Sequence, residues 1–152
     1  MAEVINGVWI GPEDLCTNDQ WLMGTGIVLV VDCRDVQRPT TSLTTVQVHR
    51  CSMRDEDRPV TNEWVVAKLT KRLDSAAQII QTTVASGQPV LVHCVSGINR
   101  SALVIAWWLM CHAELKRTYH EAMALLEAAN QTRDKPTLIN IAFRDFLFAH
   151  AK

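Results

Sequence analysis

Two reactive side chains, a cysteine and an arginine, lie with five residues between them in the stretch from His93 to Ser101. An apolar run precedes the stretch and another follows it, so the sequence predicts a strand, a tight loop and then a helix. Backbone N–H groups of such a loop point inward and bind anions, and the positive end of the following helix adds to the same field. The pattern therefore predicts a site for a tetrahedral oxyanion next to a thiolate.

Each residue type in this stretch has its own use in that chemistry. Cys94 is the candidate nucleophile, because positive surroundings lower a thiol pKa from about 8.5 to about 3.5–7.5. The planar guanidinium of Arg100 can bind two oxygens of the anion at once, and Gly97 lets the backbone approach the anion without a Cβ. Ser101 can donate its hydroxyl to the sulfur, and His93 can orient the loop through backbone carbonyls. The anion would be bound by the loop residues Val95, Ser96, Gly97, Ile98, Asn99 and Arg100.

The arrangement His93-Cys94-x-x-Gly97-x-x-Arg100-Ser101 resembles the signature of the cysteine-dependent protein tyrosine phosphatases. The small size of the chain and the lead-in Leu-Val-His-Cys are most similar to the small (atypical) dual-specificity branch. The resemblance implies a protein phosphatase that cleaves phosphotyrosine and phosphoserine or phosphothreonine through a cysteinyl-phosphate intermediate. It also implies a phosphorylated protein as the partner, and neither a metal nor another cofactor. Weaker similarities extend it along the chain, at Ile5–Gly11, Glu121-Ala122 and Phe143–Leu147.

The resemblance further implies an aspartate that protonates the leaving oxygen, on a loop between a strand and a long helix. Asp55 is the first candidate because it comes directly after a predicted strand, Asp57 is the second, and Glu63 is the third. Asp55 precedes the cysteine by 39 residues, which is longer than the small members of the family imply. The extra length lies between positions 59 and 69.

Composition and charge limit the class of protein. The chain has 152 residues, of which 48% are apolar and 20% are charged, as expected for one soluble domain over residues 1–152. A net charge of −1 disfavours a nucleic-acid partner or a membrane surface. The sequence shows neither a signal peptide nor a transmembrane segment. Five cysteines without paired spacing favour a reducing compartment and indicate no zinc site. We therefore expect a cytoplasmic protein, with the nucleus as an alternative.

Periodicity predicts the elements that must position the site. Apolar runs indicate strands over 4–10, 27–31, 44–51 and 89–93. Helices are expected over 13–23, 63–85, 100–111, after the capping box 118–121, and over 138–149. The alternation predicts an α/β domain with a central four- or five-stranded, largely parallel or mixed sheet flanked by helices, similar to protein tyrosine phosphatases.

Ligands bind such sheets at the carboxyl ends of the strands. If the strand over 44–51 runs parallel to the strand over 89–93, the loop with Asp55 and Asp57 should lie over Cys94. Arg34 and Arg38 follow another strand, so they could meet the substrate at the same edge, although solvated arginines are an equal expectation.

Other functions stay open at this point. An RNA 5′-phosphatase or triphosphatase of the same fold has a loop similar to Gly97–Arg100, but usually continues with Thr-Gly where this chain has Ser101-Ala102. A phosphoinositide phosphatase often has basic residues inside the loop, and this loop has none before Arg100. A non-catalytic phosphoprotein-binding module would have lost Cys94. The oligomeric state cannot be predicted.

Overall fold

Five strands form one mixed sheet at the centre of the protein. The structure is a computed structural model and describes residues 1–152. The strands are β1 (Ala2–Ile5), β2 (Val8–Gly11), β3 (Leu29–Asp32), β4 (Gln47–Arg50) and β5 (Val90–His93). Their order is β1-β2-β5-β3-β4, with β1 antiparallel to β2 and all other neighbours parallel. The predicted α/β fold with a mixed sheet is confirmed.

Helices cover both faces of this sheet. They are α1 (Asp19–Thr25), α2 (Glu63–Ala85), α3 (Arg100–Trp107), α4 (Tyr119–Gln131) and α5 (Ile141–His150). A 3₁₀ helix, Glu13–Thr17, precedes α1, and a π-helical turn, Trp108–His112, continues α3. None of these helices is long and apolar enough to cross a membrane. The capping box of α4 at Thr118 is confirmed, as are the bounds of α2, whose N-cap is Asn62.

The first predicted strand, over 4–10, is instead a hairpin of β1 and β2. Asn6 and Gly7 form its turn, with φ angles of 51° and 83°. A two-residue hairpin turn of this hand needs positive φ at both positions, and Asn-Gly is the pair that adopts it most easily. Because apolar residues continue on both sides of Asn6-Gly7, the sequence pattern predicts one strand and not two strands joined by a turn.

Three helix boundaries also differ from the prediction. Asn18 divides the helix expected over 13–23, because its side chain accepts the N–H of Trp21 and so caps a new helix. The helix expected over 100–111 changes to the π-helical turn at Trp108. The last helix begins at Ile141 and not at 138, since Leu138 has a φ of 46° and Asn140 is the N-cap.

Alternate residues of the central strands enter two separate apolar clusters. Val90 and Val92 belong to the larger cluster, which also includes residues of α2 to α5. Leu91 and Val30 belong to the smaller one, with residues of the 3₁₀ helix and α1. All residues of β3, β5 and α3 are buried. Burial on both faces fixes the register of these elements, and therefore the point where the loop after β5 emerges.

Candidate active site

The loop from Cys94 to Asn99 joins the carboxyl end of β5 to the first residue of α3, Arg100. Because β5 lies between β2 and β3, the loop is at the middle of the sheet edge. This is where a parallel sheet binds its ligands. The predicted strand, loop and helix are all present.

The backbone carbonyls of Val95 to Ile98 point away from the centre of the loop, and each has a donor elsewhere in the fold. Val95 O accepts from the Glu13 N–H (3.0 Å), Ser96 O and Gly97 O accept from Arg133 (2.8 and 3.1 Å), and Ile98 O accepts from the Leu138 N–H (2.8 Å). The N–H groups of Val95, Ser96, Ile98 and Asn99 have no protein acceptor. Outward carbonyls and free N–H groups together form a nest for an anion.

Arg133 was not among the residues predicted from the sequence, although it contacts two loop carbonyls. Asn130 Oδ1 accepts a hydrogen bond of 2.7 Å from the Arg133 guanidinium, and the Asn130 amide also reaches Gly97 O at 3.4 Å. Both residues lie at the end of α4, more than 30 positions after the loop. No local pattern marks such a contact, since an arginine after a helix is usually solvated.

Gly97 is the one loop position where only glycine fits. Its φ is +73°, and an added Cβ would lie 2.8 Å from the carbonyl carbon and oxygen of Gly11. It would also lie 2.8 Å from Arg133 Nη1. The close approach of β2 to the loop therefore depends on the missing side chain.

Cys94 is buried at the floor of the nest. Its Sγ lies 3.3 Å from Ser101 Oγ and 3.3 Å from the backbone nitrogen of Gly97. Burial alone would raise the pKa of Cys94. The side-chain and backbone hydrogen bonds from Ser101, the Gly97 N–H and the Arg100 charge outweigh that effect, and the pKa lies below its ordinary value. The sulfur therefore lies among donors that favour its thiolate, which is the form that a nucleophile needs.

Arg100 is buried against the loops that follow β3 and β4. Its Nη1 donates to Met53 O (3.2 Å) and to Asp35 Oδ1 (3.3 Å). Its Nε is buried and has no hydrogen-bond partner. An unpartnered buried donor is costly unless a ligand accepts from it, so this nitrogen is available to an oxyanion. Asp35 was not predicted from the sequence.

His93 is buried behind the loop. Its Nδ1 lies 3.2 Å from Cys94 O, which can only accept, so Nδ1 carries the proton. Its Nε2 is 3.8 Å from Asp32 Oδ1. Burial lowers the pKa of His93 in spite of the opposing Asp32 charge, so the ring is neutral at pH 7. The contact with a loop carbonyl is the one expected from the sequence.

Arg34 is neither solvated nor turned to the anion site. It is 3% exposed and forms two hydrogen bonds to the carboxylate of Asp32, of 2.9 and 2.8 Å. It also contacts Glu13, which pairs with Arg38 as well. Arg34 therefore anchors the end of β3 to the 3₁₀ helix, whereas Arg38 pairs with Glu13 at the surface and is solvated, which was the alternative expectation.

Asp55 lies next to the end of the anion loop, and two side-chain amides hold its carboxylate. Asn99 Nδ2 donates to its Oδ2 (2.8 Å), and Asn140 Nδ2 donates to its Oδ1 (2.7 Å). Asp57 is exposed and takes no part in this network, and Glu63 begins α2. The structure thus brings the first of the three candidate acids to the loop. Asn140 was not predicted from the sequence.

The arrangement can bind a tetrahedral oxyanion directly above a thiolate. Positive charge comes from Arg100 and from the free N–H groups of the loop, and the Asp55 carboxylate is hydrogen-bonded to Asn99, the last residue of that loop. No group of three or more His, Cys, Asp or Glu side chains is placed to hold a metal ion.

Comparison with known proteins gives one family and several similar folds. The family model described as "Dual specificity phosphatase, catalytic domain" matches residues 8–152. A mouse protein described as a dual specificity phosphatase, in complex with zinc tungstate, has a TM-score of 0.81 and 23% identity, over 99% of this chain and 85% of that one. Human DUSP28 has a TM-score of 0.78 and 21% identity, over 97% of this chain and 92% of that one. A human tyrosine phosphatase-like serine/threonine/tyrosine-interacting protein has a TM-score of 0.77 and 19% identity, over 99% of this chain and 94% of that one. These structures establish the fold.

Proposed function

The chain belongs to the family of dual specificity phosphatase catalytic domains, and we propose that it hydrolyses phosphotyrosine and phosphoserine or phosphothreonine in proteins through a cysteinyl-phosphate intermediate. The observation that carries this proposal is the position of Cys94. Its Sγ lies 3.3 Å from the Ser101 hydroxyl and 3.3 Å from the Gly97 N–H, on the floor of the anion nest.

In the first step the Cys94 thiolate attacks phosphorus in line with the leaving oxygen. A sulfur–phosphorus bond forms, the phosphorus–oxygen bond breaks, and Asp55 gives its proton to the leaving oxygen. The loop N–H groups and the Arg100 guanidinium stabilise charge on the equatorial oxygens, which is where phosphoryl transfer gains most of its rate. Proton transfer from a positioned acid contributes about 10²- to 10⁴-fold.

In the second step water attacks the phosphorus of the cysteinyl-phosphate. The Asp55 carboxylate accepts a proton from that water, the sulfur–phosphorus bond breaks, and inorganic phosphate leaves. Ser101 donates its hydroxyl to the departing sulfur, which stabilises the thiolate. The same 3.3 Å contact that lowers the pKa of Cys94 also makes it a better leaving group.

Asp55 is assigned as the acid and later the base because of its two hydrogen bonds. Asn99 and Asn140 fix both carboxyl oxygens, and Asn99 is itself the last residue of the anion loop. Asp57 has no such link to the loop. A fixed carboxyl group loses little entropy when it transfers its proton.

One observation favours a second candidate, phosphoprotein binding without turnover. The fold is similar to that of a protein named as tyrosine phosphatase-like and as an interacting protein. In that case the nest would bind the phosphoryl group and release it unchanged. The lowered pKa of Cys94 supports hydrolysis instead, because simple binding of an anion gains nothing from a thiolate beside it.

Phosphate release tests the proposal directly. Wild type and Cys94→Ser are compared on a phosphotyrosine peptide, a phosphothreonine peptide and a 5′-triphosphate RNA. We expect release from both peptides by the wild type and none by Cys94→Ser. Release from RNA alone would move the protein to the RNA phosphatases. Binding of the peptides without release by either protein would support the second candidate.

A further inference from the structure

The loop between β4 and α2 contains Asp55 and Asp57 and is termed the acidic loop. A groove of about 290 Å³ lies beside Asp55, between this acidic loop, the first half of α2 and the start of α5. Its apolar lining includes Met53, Val60, Leu69 and Phe143. Two of these, Val60 and Leu69, come from the stretch 59–69, where the chain is longer than its resemblance implies. None of the residues assigned to phosphate chemistry lines the groove.

The outer wall of the groove is an exposed aromatic residue. Trp64 is 69% exposed and Val65, its neighbour on α2, is 45% exposed. Lys68 Nζ lies 4.1 Å from the centre of the Trp64 ring. A large apolar side chain that continues an apolar groove is a feature of binding surfaces, unlike a single scattered apolar residue.

The rim of the groove is positively charged. Arg54, Lys68 and Arg72 line it, against one carboxylate, Glu56, which lies 3.7 Å from Arg58. Arg72 is oriented by a hydrogen bond of 2.8 Å to Ser52 O. Three cations around an apolar floor match a ligand that has both acidic and apolar groups.

Three contacts connect this groove to the anion site. Arg54 and Glu56 are the chain neighbours of Asp55, and Met53 O accepts a hydrogen bond from Arg100. The Phe143 N–H donates to Asn140 Oδ1, on the residue whose amide holds Asp55. These connections place the groove next to the anion site, within reach of a chain bound there.

We propose that the groove binds the part of a phosphoprotein substrate that flanks the phosphorylated residue, and that it selects an apolar side chain next to acidic ones. This inference rests on the proposed function. The apolar side chain packs against Leu69 and Phe143 beside the Trp64 ring. The acidic side chains pair with the cations of the rim, chiefly Lys68 and Arg54.

The test compares substitutions inside the groove with matched ones outside it. Trp64→Ala and Lys68→Glu change the groove. Phe148→Ala and Lys71→Glu also remove an aromatic side chain and reverse a lysine charge, at exposed positions that do not line the groove. All four are measured for kcat/KM on para-nitrophenyl phosphate and on two phosphotyrosine peptides. One peptide has leucine and glutamate flanks, and the other has alanine and serine flanks.

We expect each groove variant to lose about fivefold or more in kcat/KM on the acidic, apolar peptide, as one lost interfacial contact of about 1 kcal/mol gives. The neutral peptide and para-nitrophenyl phosphate should change less than about twofold, and the outside variants should match wild type on every substrate. Equal losses on all substrates, or no preference of the wild type for the acidic peptide, would overturn the proposal.

Binding separates failure of the groove from failure of the proposed function. The same substitutions are made in the Cys94→Ser background, and affinity for both peptides is measured by fluorescence anisotropy. Groove-dependent binding with no turnover by the wild type would reject the phosphatase and keep the groove. Turnover by the wild type without groove-dependent binding would reject the groove and keep the phosphatase. A dimer that Trp64→Ala dissociates, seen by sedimentation, would assign the groove to a second copy of the chain and overturn the inference.

Discussion

Asn99 donates a hydrogen bond of 2.8 Å to Asp55, and this contact joins the anion loop to an acidic loop 44 positions earlier in the chain. Asn140 completes the connection, because its amide holds the other oxygen of Asp55 and its backbone N–H donates to Asn99 Oδ1 at 3.0 Å. These three hydrogen bonds link the two loops to the start of α5. The hydrogen bonds from Asn99 and Asn140 therefore set the orientation of the Asp55 carboxyl group relative to the anion loop.

Asp55→Asn should lower kcat by about 10²- to 10⁴-fold for substrates with poor leaving groups, such as phosphoserine peptides. An aryl phosphate with a good leaving group needs little protonation and should lose much less. Asp57→Asn is the matched control, since this carboxylate is exposed and two positions away. If Asp57→Asn shows the leaving-group dependence and Asp55→Asn does not, the acid is Asp57 and the rest of the mechanism stands.

Asn140 has two functions that one substitution can separate. Its Oδ1 caps α5 by accepting the Phe143 N–H, and its Nδ2 donates to Asp55 and to the carbonyl of Glu56. Asn140→Ser keeps a good cap but removes the amide donor. We expect a moderate loss of thermal stability, because the carbonyl of Glu56 also loses its donor. We expect kcat on a phosphoserine peptide to fall roughly ten- to a hundredfold, since a displacement of about 1 Å can cost 10²-fold.

The control for that substitution is Asn18→Ser, which changes the cap of α1 in the same way on the opposite face of the sheet. It should leave kcat unchanged. The loss in Asn140→Ser should depend on the leaving group, as for Asp55→Asn. A loss that is equal for aryl phosphates would show that Asn140 acts through the fold and not through Asp55.

The lowered pKa of Cys94 predicts that its thiol reacts at a lower pH than the other cysteines do. Because its thiolate persists below the ordinary pKa of a thiol, alkylation by iodoacetamide near pH 6.5 should modify Cys94 first. Burial raises the pKa of Cys111 and raises that of Cys51 to about 12, so both should react later. Peptide mass spectrometry after brief labelling identifies the site, and preferential labelling of Cys111 would contradict the assignment.

Ser101→Ala tests the cause of that shift. The hydroxyl 3.3 Å from Cys94 Sγ is the strongest of the contacts that favour the thiolate, so its removal should raise the pKa of Cys94. The acid limb of both the alkylation rate and kcat/KM should then move to higher pH. Cysteinyl-phosphate should also persist longer, which rapid-quench measurements detect. An unchanged pH profile would assign the shift to Arg100 and the loop backbone.

The residues that could be predicted from sequence are those whose partners are near in the chain. Cys94, Gly97 and Ser101 act on one another within seven positions, so their spacing alone carries the pattern. The sheet was predicted for a similar reason. Strands buried on both faces have continuous apolar runs, and both β3 and β5 are of this kind.

Missed residues contact the site across long stretches of sequence. Asn140 reaches Asp55 from 85 positions away, Arg133 reaches Ser96 from 37, and Asp35 reaches Arg100 from 65. Asparagine, arginine and aspartate are also common in solvated loops, so neither type nor spacing distinguishes them. Arg133 and Asn140 gain their partners only because α4 and α5 pack next to the loops of the site, and Asp35 gains its partner because the loop after β3 lies beside Arg100.

Gly97→Ala should remove activity and destabilise the fold together. A Cβ at a φ of +73° is strained by about 1–2 kcal/mol, and it would also lie 2.8 Å from the backbone of Gly11 and from Arg133. Either β2 or the loop must then shift, and the inward N–H groups lose their common centre. We expect the free energy of unfolding to fall by about 2–4 kcal/mol, as for other strained backbone sites. Phosphate release should fall by more than about 10²-fold, as when preorganised donors to an oxyanion are lost.

Gly24→Ala is the matched control, because it makes the same chemical change within α1 at a position with ordinary φ and no atom within 4 Å of the new Cβ. It should stabilise the protein by about 0.5–1 kcal/mol, as alanine does in place of glycine inside a helix. Urea unfolding and phosphate release on both variants give the comparison. If Gly97→Ala kept wild-type activity, the loop would tolerate a different backbone path. The N–H groups of this backbone path could then not be what binds the phosphoryl group, and the nest would lose its place in the proposed mechanism.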